Sequence, residues 1–406
     1  MRDGLPSMKT ATIPLEAALE RLEVGVASVG PEEVPSHGEW GVIRLGAVTS
    51  GQFDSAKAKR LPPSVVPRPA LEIRQGDVLV VRVNGARKLV GSVCMVGSVR
   101  PRLMLSDLVM RLVPARHIMD PRFLSIALSA PSVRHQILSR LRGTSGQFQL
   151  PQSEIKSVLV PCPPLAEQRR IVEVVDAVSA QEHAIEASIV KLRDVRQGAL
   201  LAAMASIGNG EPLPGWVRAP LKDLVPEAEY GISEALDKNP QGVPVLRMNN
   251  LANGRPELSD LKYSPVPAPA RLELRYGDVL FNRTNSIDHI GKSGMWRDEL
   301  PRAAFASYLV RINPDAARLI PEYLVEWLMH PVIRQRVRSI STVAIQQVNV
   351  NPTRLRELEI DMPIDPAEQR RIVASLYSCD EQIEGEQVEL SKLRAVKQGL
   401  VDDLLG

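Results

Sequence analysis

The sequence predicts an α+β protein built as a tandem duplication, in which each half is a globular part followed by a long helix. Two observations carry this prediction. Blocks of residues recur at a nearly constant spacing of 201 positions, and a heptad pattern of apolar residues closes each half. In addition, a chain of 406 residues is too long for one ordinary core, so length alone favours at least two domains.

The composition is that of a folded protein, with 44% hydrophobic and 24% charged residues. A net charge of +3 neither requires nor excludes a nucleic-acid partner, because a basic face can be balanced by an acidic one. Cys94, Cys162 and Cys379 are scattered, which predicts neither a disulfide framework nor a zinc site. The sequence has no apolar run of about 18 residues and no signal-peptide layout at its start, so we expect a cytoplasmic protein without a membrane partner.

The duplication is clearest in the segment AEQRRIV, which occupies residues 166–172 and recurs at residues 367–373. Upstream of it, RQGDVL at 74–79 corresponds to RYGDVL at 275–280, again 201 positions apart. PRFL at 121–124 matches PEYL at 321–324, and EVGV at 23–26 matches EYGI at 229–232. A period of about 200 residues indicates a duplicated domain and not a solenoid repeat.

Within each half, strands, loops and a short helix are predicted in the same order. The apolar runs at 78–81 and 279–281 follow a Gly-Asp pair and indicate buried strands. The proline-rich stretches 61–69 and 264–269 are expected to be loops. After Pro121 and Pro321 the apolar residues recur with a period near 3.6, which predicts a helix with proline in its first turn.

The last segment of each half has the heptad pattern of a coiled-coil helix over roughly 30 residues. The start of the second copy is well marked, since Asp365 can cap the helix, Pro366 suits its first position and Glu368 would complete a capping box. Two helices of equal length are expected to pair with each other. Polar residues interrupt the apolar seam at four positions, namely Glu182, Arg196, Glu386 and Lys397.

Several catalytic motifs are incomplete in this sequence. Gly291-Lys292-Ser293 lacks the upstream glycine of a phosphate-binding loop, since position 286 is a serine. No Asn-Pro pair continues into the Asn/Asp-Pro-Pro-aromatic run that adenine methylation would need. Glu154-Ile155-Lys156 has a nuclease-like spacing but no suitable upstream aspartate. We therefore predict no catalytic residue and no metal site in this chain.

The duplicated α+β domain, with each copy ending in Pro-x-x-x-Glu-Gln-x-x-Ile-Val and a long helix, resembles the specificity (S, or HsdS) subunit of type I restriction-modification systems. The resemblance covers nearly the whole chain. Its most specific pieces are residues 163–168 with the Thr144-Ser145-Gly146-Gln147 element before them, and residues 364–369 after Thr342. The family's Gly-Asp-Val-Leu and Tyr-Gly-Ile-Ser blocks are both present in the second half.

The resemblance implies two target recognition domains, each reading one half of a bipartite DNA sequence, and two helices packed as an antiparallel coiled coil that spaces them. The expected bounds are 1–164 and 206–365 for the recognition domains, and 165–205 and 366–406 for the helices. Double-stranded DNA and two methyltransferase (M) subunits are the implied partners, and a restriction/translocase (R) subunit would join them where one exists. No cofactor is expected in this chain, because S-adenosylmethionine, ATP and magnesium would belong to the partner subunits.

The internal repeat sorts the candidate DNA-binding residues. Residues that are identical in the two halves cannot distinguish two different half-sites, so the matched arginines suit phosphate contact or structure, whereas base readout should lie where the halves differ. The predicted DNA-binding residues are Arg44, Gln52, Arg82, Asn84, Arg87, Lys88, Arg247, Asn253, Arg255, Arg283, Asn285 and Lys292. The residues predicted to dock partner subunits are Glu167, Gln168, Arg169, Arg170, Glu368, Gln369, Arg370 and Arg371.

Two other functions remain open at this point. The chain could be a stand-alone coiled-coil DNA-binding or scaffold protein without a methyltransferase partner, or a degenerate enzyme that uses Gly291-Lys292-Ser293. Co-purification with a methyltransferase distinguishes the first alternative, and nucleotide binding by the isolated chain would support the second.

Overall fold

The computed structural model describes residues 11–27, 33–143, 146–207, 210–344 and 347–405. Thr144 and Ser145, which belong to one of the predicted family motifs, lie outside these ranges. The chain forms two compact units: unit 1 comprises Met1–Glu186 and Val388–Gly406, and unit 2 comprises Ala187–Gln387. Each unit therefore holds parts of both long helices. The four predicted segments divide the chain differently, and their bounds stay a prediction.

The globular part of unit 1 is an α+β structure made of short strands and helices. Its elements, in chain order, are β1 (Thr12–Pro14), α1 (Leu15–Ala18), β2 (Leu19–Val24), β3 (Gly41–Ile43), β4 (Ala58–Arg60), β5 (Val78–Val81), β6 (Val83–Asn84), β7 (Val93–Met95), β8 (Leu103–Met104), β9 (Val109–Pro114), α2 (Pro121–Ser129), α3 (Pro131–Ser139), β10 (Phe148–Gln149), α4 (Gln152–Lys156) and β11 (Leu159–Pro161). The long helix α5 (Leu165–Ala203) follows.

The globular part of unit 2 repeats this plan. Its elements are β12 (Trp216–Pro220), β13 (Glu229–Tyr230), β14 (Val243–Leu246), β15 (Leu251–Ala252), β16 (Arg255–Pro256), β17 (Lys262–Ser264), β18 (Val279–Asn282), β19 (Thr284–Asn285), β20 (Ser293–Met295), β21 (Ala304–Phe305), β22 (Leu309–Arg311), α6 (Pro321–Met329), α7 (Pro331–Ser339), β23 (Thr342–Ala344), β24 (Gln347–Asn349), α8 (Pro352–Arg356) and β25 (Glu359–Pro363). The second long helix, α9 (Pro366–Leu405), closes the chain.

The sheets of the two units have the same strand order. A four-stranded antiparallel sheet is ordered β2-β9-β5-β7 in unit 1 and β13-β22-β18-β20 in unit 2. A three-stranded sheet with one parallel pair is ordered β4-β3-β8 in unit 1 and β17-β14-β21 in unit 2. The predicted strands at 78–81 and 279–281 are the buried centres β5 and β18, and the predicted helices after Pro121 and Pro321 are α2 and α6. The α+β duplication is confirmed.

The proline-rich stretches are irregular, as predicted, except at their edges. Residues 61–68 contain no helix or strand, whereas Pro69 begins a short 3-10 helix and Ser264 ends β17. The predicted cap of α9 is present, because the amide of Ala367 donates to Asp365 Oδ1 over 2.9 Å. The carboxylate of Glu368 binds Arg371, and in the described residues it does not complete the predicted capping box.

The long helices pack side by side and antiparallel within each unit. In unit 1, Lys397 Nζ lies 2.6 Å from Glu182 Oε2, and Arg394 Nη2 lies 2.5 Å from Glu186 Oε1. A residue later in α5 thus contacts a residue earlier in α9, which shows that the two helices run antiparallel. In unit 2, Ser188 Oγ donates to Glu386 over 2.7 Å. Also in unit 2, Arg196 Nε of α5 lies 2.7 Å from Asp380 Oδ1 of α9. All four predicted seam interruptions are thus paired across the helices, and the predicted antiparallel packing is confirmed.

Each unit has its own apolar core beneath its four-stranded sheet. In unit 1, Phe123 and Leu124 of α2 pack with Val78 and Val80 of β5 and with Val175 of α5. The corresponding core of unit 2 contains Tyr323 and Trp327 of α6, Phe281 of β18 and Leu376 of α9. Burying the apolar face of each long helix against its globular part is what orders these helices, because an isolated helix gains little from propensity alone.

Candidate nucleic-acid interface

Arg82 and Arg283 occupy repeat-equivalent positions just after the central strands β5 and β18. Arg82 Nη1 donates to the carbonyl of Asp107 over 3.2 Å, and the Arg283 guanidinium lies 5.1 Å from the centre of the Tyr230 ring. Within the described ranges neither guanidinium contacts a carboxylate, and the Nε atom of each is buried without a hydrogen-bond partner. These two cations are therefore available to bind an anion such as a DNA phosphate.

Asn84 and Asn285 follow these arginines and shape the next loop. The amide of Ala86 donates to Asn84 Oδ1 over 2.9 Å, and the amide of Ser286 donates to Asn285 Oδ1 over 2.8 Å. Each asparagine lies on a two-residue strand that pairs with a strand near the end of its globular part. The side-chain oxygen of each asparagine is thus used to hold its loop in place.

The loops after Asn84 and Asn285 place their cations differently. Arg87 Nη2 donates to the carbonyl of Leu138 over 2.8 Å, which ties that guanidinium to α3. Lys88 is exposed, and Lys292 is partly exposed. Ser293 is buried in β20, and its hydroxyl donates to the carbonyl of Gly291. A phosphate-binding loop leads into a helix, whereas this segment leads into a strand, so Gly291-Lys292-Ser293 does not have the geometry of a phosphate-binding loop.

Gln52 and Arg255 both reach from their globular parts to a long helix. Gln52 Nε2 lies 2.8 Å from His183 Nε2 on α5, and Arg255 forms an ion pair with Glu384 on α9. His183 and Glu384 are 201 positions apart, so the two contacts are repeat equivalents. Base readout by Gln52 or Arg255 would require these contacts to be given up, and it stays a prediction.

Other predicted DNA-binding residues also have local roles. Asn253 and Gly254 have φ angles of +50° and +76°, the geometry of the tight turn between β15 and β16. Arg247 Nη2 lies 2.8 Å from Asp260 Oδ2, and the hydrogen bond from this guanidinium lowers the pKa of the Asp260 carboxyl. The amide of Arg44 donates to the carbonyl of Lys57 over 2.8 Å. DNA binding by these residues, and phosphate binding by Arg82 and Arg283, stay predictions.

The structure corrects the docking role of Gln168 and Gln369. Both amides are completely buried. Gln369 accepts from the amide of Ile320 and donates to the carbonyls of Arg318 and Pro363, over 2.8–2.9 Å. Gln168 makes the equivalent three bonds in unit 1. A side chain that is enclosed and bonded in this way offers no surface to a partner subunit, so its role is to fix the start of the long helix.

The remaining predicted docking residues lie at the surface of the same helix starts. Arg169, Arg170, Arg370 and Arg371 are exposed, as is Glu167. Glu368 is partly exposed and binds Arg371. Docking by these six residues stays a prediction.

Two arginines with structural roles, the buried Arg111 and the largely buried Arg311, were not predicted from the sequence. Arg111 Nη1 lies 3.0 Å from Asp77 Oδ2 and its Nε lies 2.5 Å from Glu23 Oε2, deep in unit 1. In unit 2, Arg311 binds Glu229, and its Nη1 lies 2.8 Å from Asp278 Oδ2. The repeat aligns Glu23 with Glu229 and Asp77 with Asp278, and these matched carboxylates could have indicated a paired arginine in each half. The Gly-Asp-Val-Leu block thus supplies a buried structural carboxylate and not a binding residue.

In the described ranges no helix is both long and apolar enough to cross a membrane. The same residues contain no group of three or more histidine, cysteine, aspartate or glutamate side chains that could hold a metal ion.

The fold is that of a duplicated chain in which two similar α+β parts each pack on segments of two long antiparallel helices, and in each part a repeat-equivalent arginine, Arg82 or Arg283, has no carboxylate partner among the described residues. No family model matches the sequence. The EcoEI type I restriction enzyme specificity subunit of Escherichia coli is 29% identical over 147 residues, which are 36% of this chain and 25% of that protein. The StySPI specificity subunit of Salmonella potsdam is 22% identical over 361 residues, covering 84% of this chain and 76% of that protein. The chain spans about half the length, or less, of the first curated relatives that it matches.

Two solved structures share the fold over nearly the whole chain. The S subunit of a type I restriction-modification system from M. genitalium superposes with a TM-score of 0.59 at 12% identity, covering 99% of this chain and 97% of that one. A structure described for complex assembly and conformational transition of the type I R-M system gives a TM-score of 0.60 at 19% identity, covering 98% and 97%. The chain thus has the fold of these two structures and is similar in sequence to the specificity subunits of type I restriction enzymes named above.

Proposed function

We propose that this chain is the DNA-reading subunit of a type I restriction-modification enzyme, with each globular part serving as a target recognition domain for one half of a bipartite sequence. The observation that supports this most directly is the repeat-equivalent pair Arg82 and Arg283. Each is held just after a central strand, with no carboxylate partner among the described residues. Identical cations in two otherwise different parts suit sequence-independent contact with the phosphate backbone.

We assign phosphate contact and base readout to different residues. The two arginines would position the chain on the duplex, while the loops that differ between the units would read base edges. Lys88 and Lys292 lie on such loops and are at least partly exposed. We propose the bounds 1–164 and 206–365 for the two recognition domains. Because the halves are related but not identical, each would read a different half-site.

We further propose that catalysis belongs to the partner subunits. Two methyltransferase subunits would bind S-adenosylmethionine and dock on the long helices near the exposed Arg169, Arg170, Arg370 and Arg371, and a restriction subunit, where present, would bind ATP and magnesium. Acting on cellular DNA, such a complex would work in the cytoplasm. The alternative, a stand-alone DNA-binding or scaffold protein, predicts that no methyltransferase co-purifies with the chain.

DNA binding by the purified full-length chain tests this proposal. Duplexes should first be selected from a randomised pool, and a bipartite sequence should emerge. R82A and R283A should then weaken binding to every duplex several-fold, reduce the slope of log affinity against log salt by about one each, and leave the selected sequence unchanged. K191A, which removes an exposed cation on α5, is the matched control and should bind as the wild type does. Failure of the wild-type chain to select any bipartite sequence, with and without a co-expressed methyltransferase, would overturn the proposal.

A further inference from the structure

In unit 2, the largely buried Arg196 joins both long helices to the globular part. Arg196 of α5 binds Asp380 of α9 through two hydrogen bonds of 2.7 and 3.0 Å. Its Nη2 also lies 2.7 Å from Glu326 Oε1, and Glu326 belongs to α6 of the globular part. The Glu326 side chain is only 5% exposed and that of Arg196 is 19% exposed. These three residues form the Arg196 cluster.

Two further contacts fix the same globular part on α9. The Arg297 guanidinium lies 5.4 Å from the centre of the Tyr377 ring, and its Nη2 donates to the Tyr377 hydroxyl over 2.5 Å. Arg255 binds Glu384 further along the helix. The globular part of unit 2 is thus held on the helices by charged groups at three places; the Arg255–Glu384 pair is exposed, with side chains 36% and 55% exposed, and the other two contacts are at least partly buried.

Most of these contacts have no counterpart among the residues that the structure describes in unit 1. Ile126 stands at the repeat position of Glu326, and Gly97 stands at that of Arg297. Lys397, the equivalent of Arg196, binds Glu182 of the other helix and contacts no carboxylate of the globular part among the described residues. A cavity of about 710 Å³ lies in this place, between the globular part and the helices, and Gly97, Ser125, Ser129 and Ser179 are among the small residues that line it.

The contacts that remain in unit 1 are of a different kind. Gln52 and His183 form a single hydrogen bond in place of an ion pair. Arg122 does bind Asp176 of α5, over 2.5 and 2.8 Å, but the side chains are 32% and 45% exposed. An exposed ion pair can exchange its partner for water at little cost, whereas separating a buried pair leaves an uncompensated charge in the protein interior.

We propose that Arg196 and Glu326 are positioning residues for DNA recognition, which hold the globular part of unit 2 in one orientation on its helices, whereas the globular part of unit 1 can adjust its orientation. This inference rests on the proposed function. A recognition domain in a fixed orientation reads its half-site at a fixed distance and rotation along the duplex. Breaking the contacts of the Arg196 cluster should therefore let the chain bind duplexes with a wider range of spacings between half-sites, without changing the sequence of either half-site.

The test uses the full-length chain and the bipartite duplex that the wild type selects. A series of duplexes, in which the two half-sites are moved by one and two base pairs in each direction, measures how steeply affinity depends on spacing. Wild type should lose at least tenfold in affinity at one base pair from the optimum, and E326Q less than threefold. R196K, which keeps the charge, should retain more of the dependence than E326Q. E357Q removes an exposed carboxylate of the same globular part and should match wild type.

A duplex that carries only the second half-site separates positioning from damage to the binding surface. E326Q should bind it within twofold of wild type, and its melting curve should show unit 2 still folded. If E326Q does not fold, R297G supplies the second variant, because it installs the residue that unit 1 has at this position. Folded variants that keep the wild-type dependence on spacing, or that lose affinity for the single half-site to the same degree, would overturn the inference while the proposed function stands. A wild-type chain that selects no bipartite duplex would overturn both.

Discussion

Replacement of Gln369 by leucine should destabilise unit 2 while leaving unit 1 folded. The side chain is completely buried, and its amide makes three hydrogen bonds, to the amide of Ile320 and to the carbonyls of Arg318 and Pro363. Leucine has a similar size but pairs with none of them. Each lost bond is worth about 1 kcal/mol net, and each backbone group left buried without a partner costs about 1–3 kcal/mol. Because such terms are not additive, we expect Q369L to lower the free energy of unfolding by about 3–5 kcal/mol.

For a unit of this size, 3–5 kcal/mol corresponds to a fall in melting temperature of about 6–20 °C. Calorimetry should show one transition displaced, and hydrogen exchange should place the lost protection in unit 2. Q168L is the matched variant and should have the same effect on unit 1, where its amide makes the equivalent bonds. Q398L, at an exposed position of α9, should melt within 2 °C of wild type. A melt of Q369L that coincides with wild type, or a Q398L variant that is equally destabilised, would refute this reasoning.

Two further predictions concern pH and unit 2. Burial, and secondarily Arg336, lowers the pKa of the His330 imidazole, whose Nδ1 accepts a hydrogen bond from the amide of Val332. The neutral imidazole therefore stabilises the fold above about pH 6.5, and this stabilisation is lost as the pH falls below that value. The melting temperature should therefore drop between pH 7 and pH 5 in wild type, and less in H330N, which keeps an acceptor; equal drops would argue against this role. Burial raises the pKa of Glu229, but hydrogen bonds from Arg311 and Arg271 outweigh it and leave that pKa below its usual range. The Glu229 carboxylate thus stabilises the fold at neutral pH, and this stabilisation is lost below about pH 4.3. E229Q should lower the melting temperature at pH 7 and reduce the further fall in melting temperature at acid pH. An E229Q variant with the acid unfolding of wild type would contradict this prediction.

The duplication, the central strands and the long helices could be predicted because their signals are local or exactly repeated along the chain. A heptad pattern needs only neighbouring residues, and the offset between AEQRRIV segments needs only the sequence itself. The helices extend further than the pattern indicated, to 39 and 40 residues, because their ends are stabilised by packing on the globular parts and not by the seam. Leu200 and Leu405, near the two C-terminal ends, are buried in the cores of units 2 and 1.

The candidate site was harder to predict, because a side chain's role depends on what lies opposite it. Gln52 and Arg255 were selected as base readers for their chemistry and their loop positions, yet each contacts a helix residue about 130 positions away. Gln168 and Gln369 were assigned to docking because they belong to the family motif, although burial makes them structural. A motif marks a residue as important without showing whether it faces solvent or the core.

The charged residues that interrupt the helix seam have different partners in the two halves of the chain. Arg196 and Lys397 occupy the same repeat position and both carry a positive charge, but their carboxylate partners come from different places. Lys397 is paired by Glu182 on the opposite helix, whereas Arg196 is paired by Asp380 one turn away from the corresponding position and by Glu326 of the globular part. In unit 2 this charged contact therefore extends from the helix pair to the globular part, whereas in unit 1 the Lys397–Glu182 pair joins the two helices.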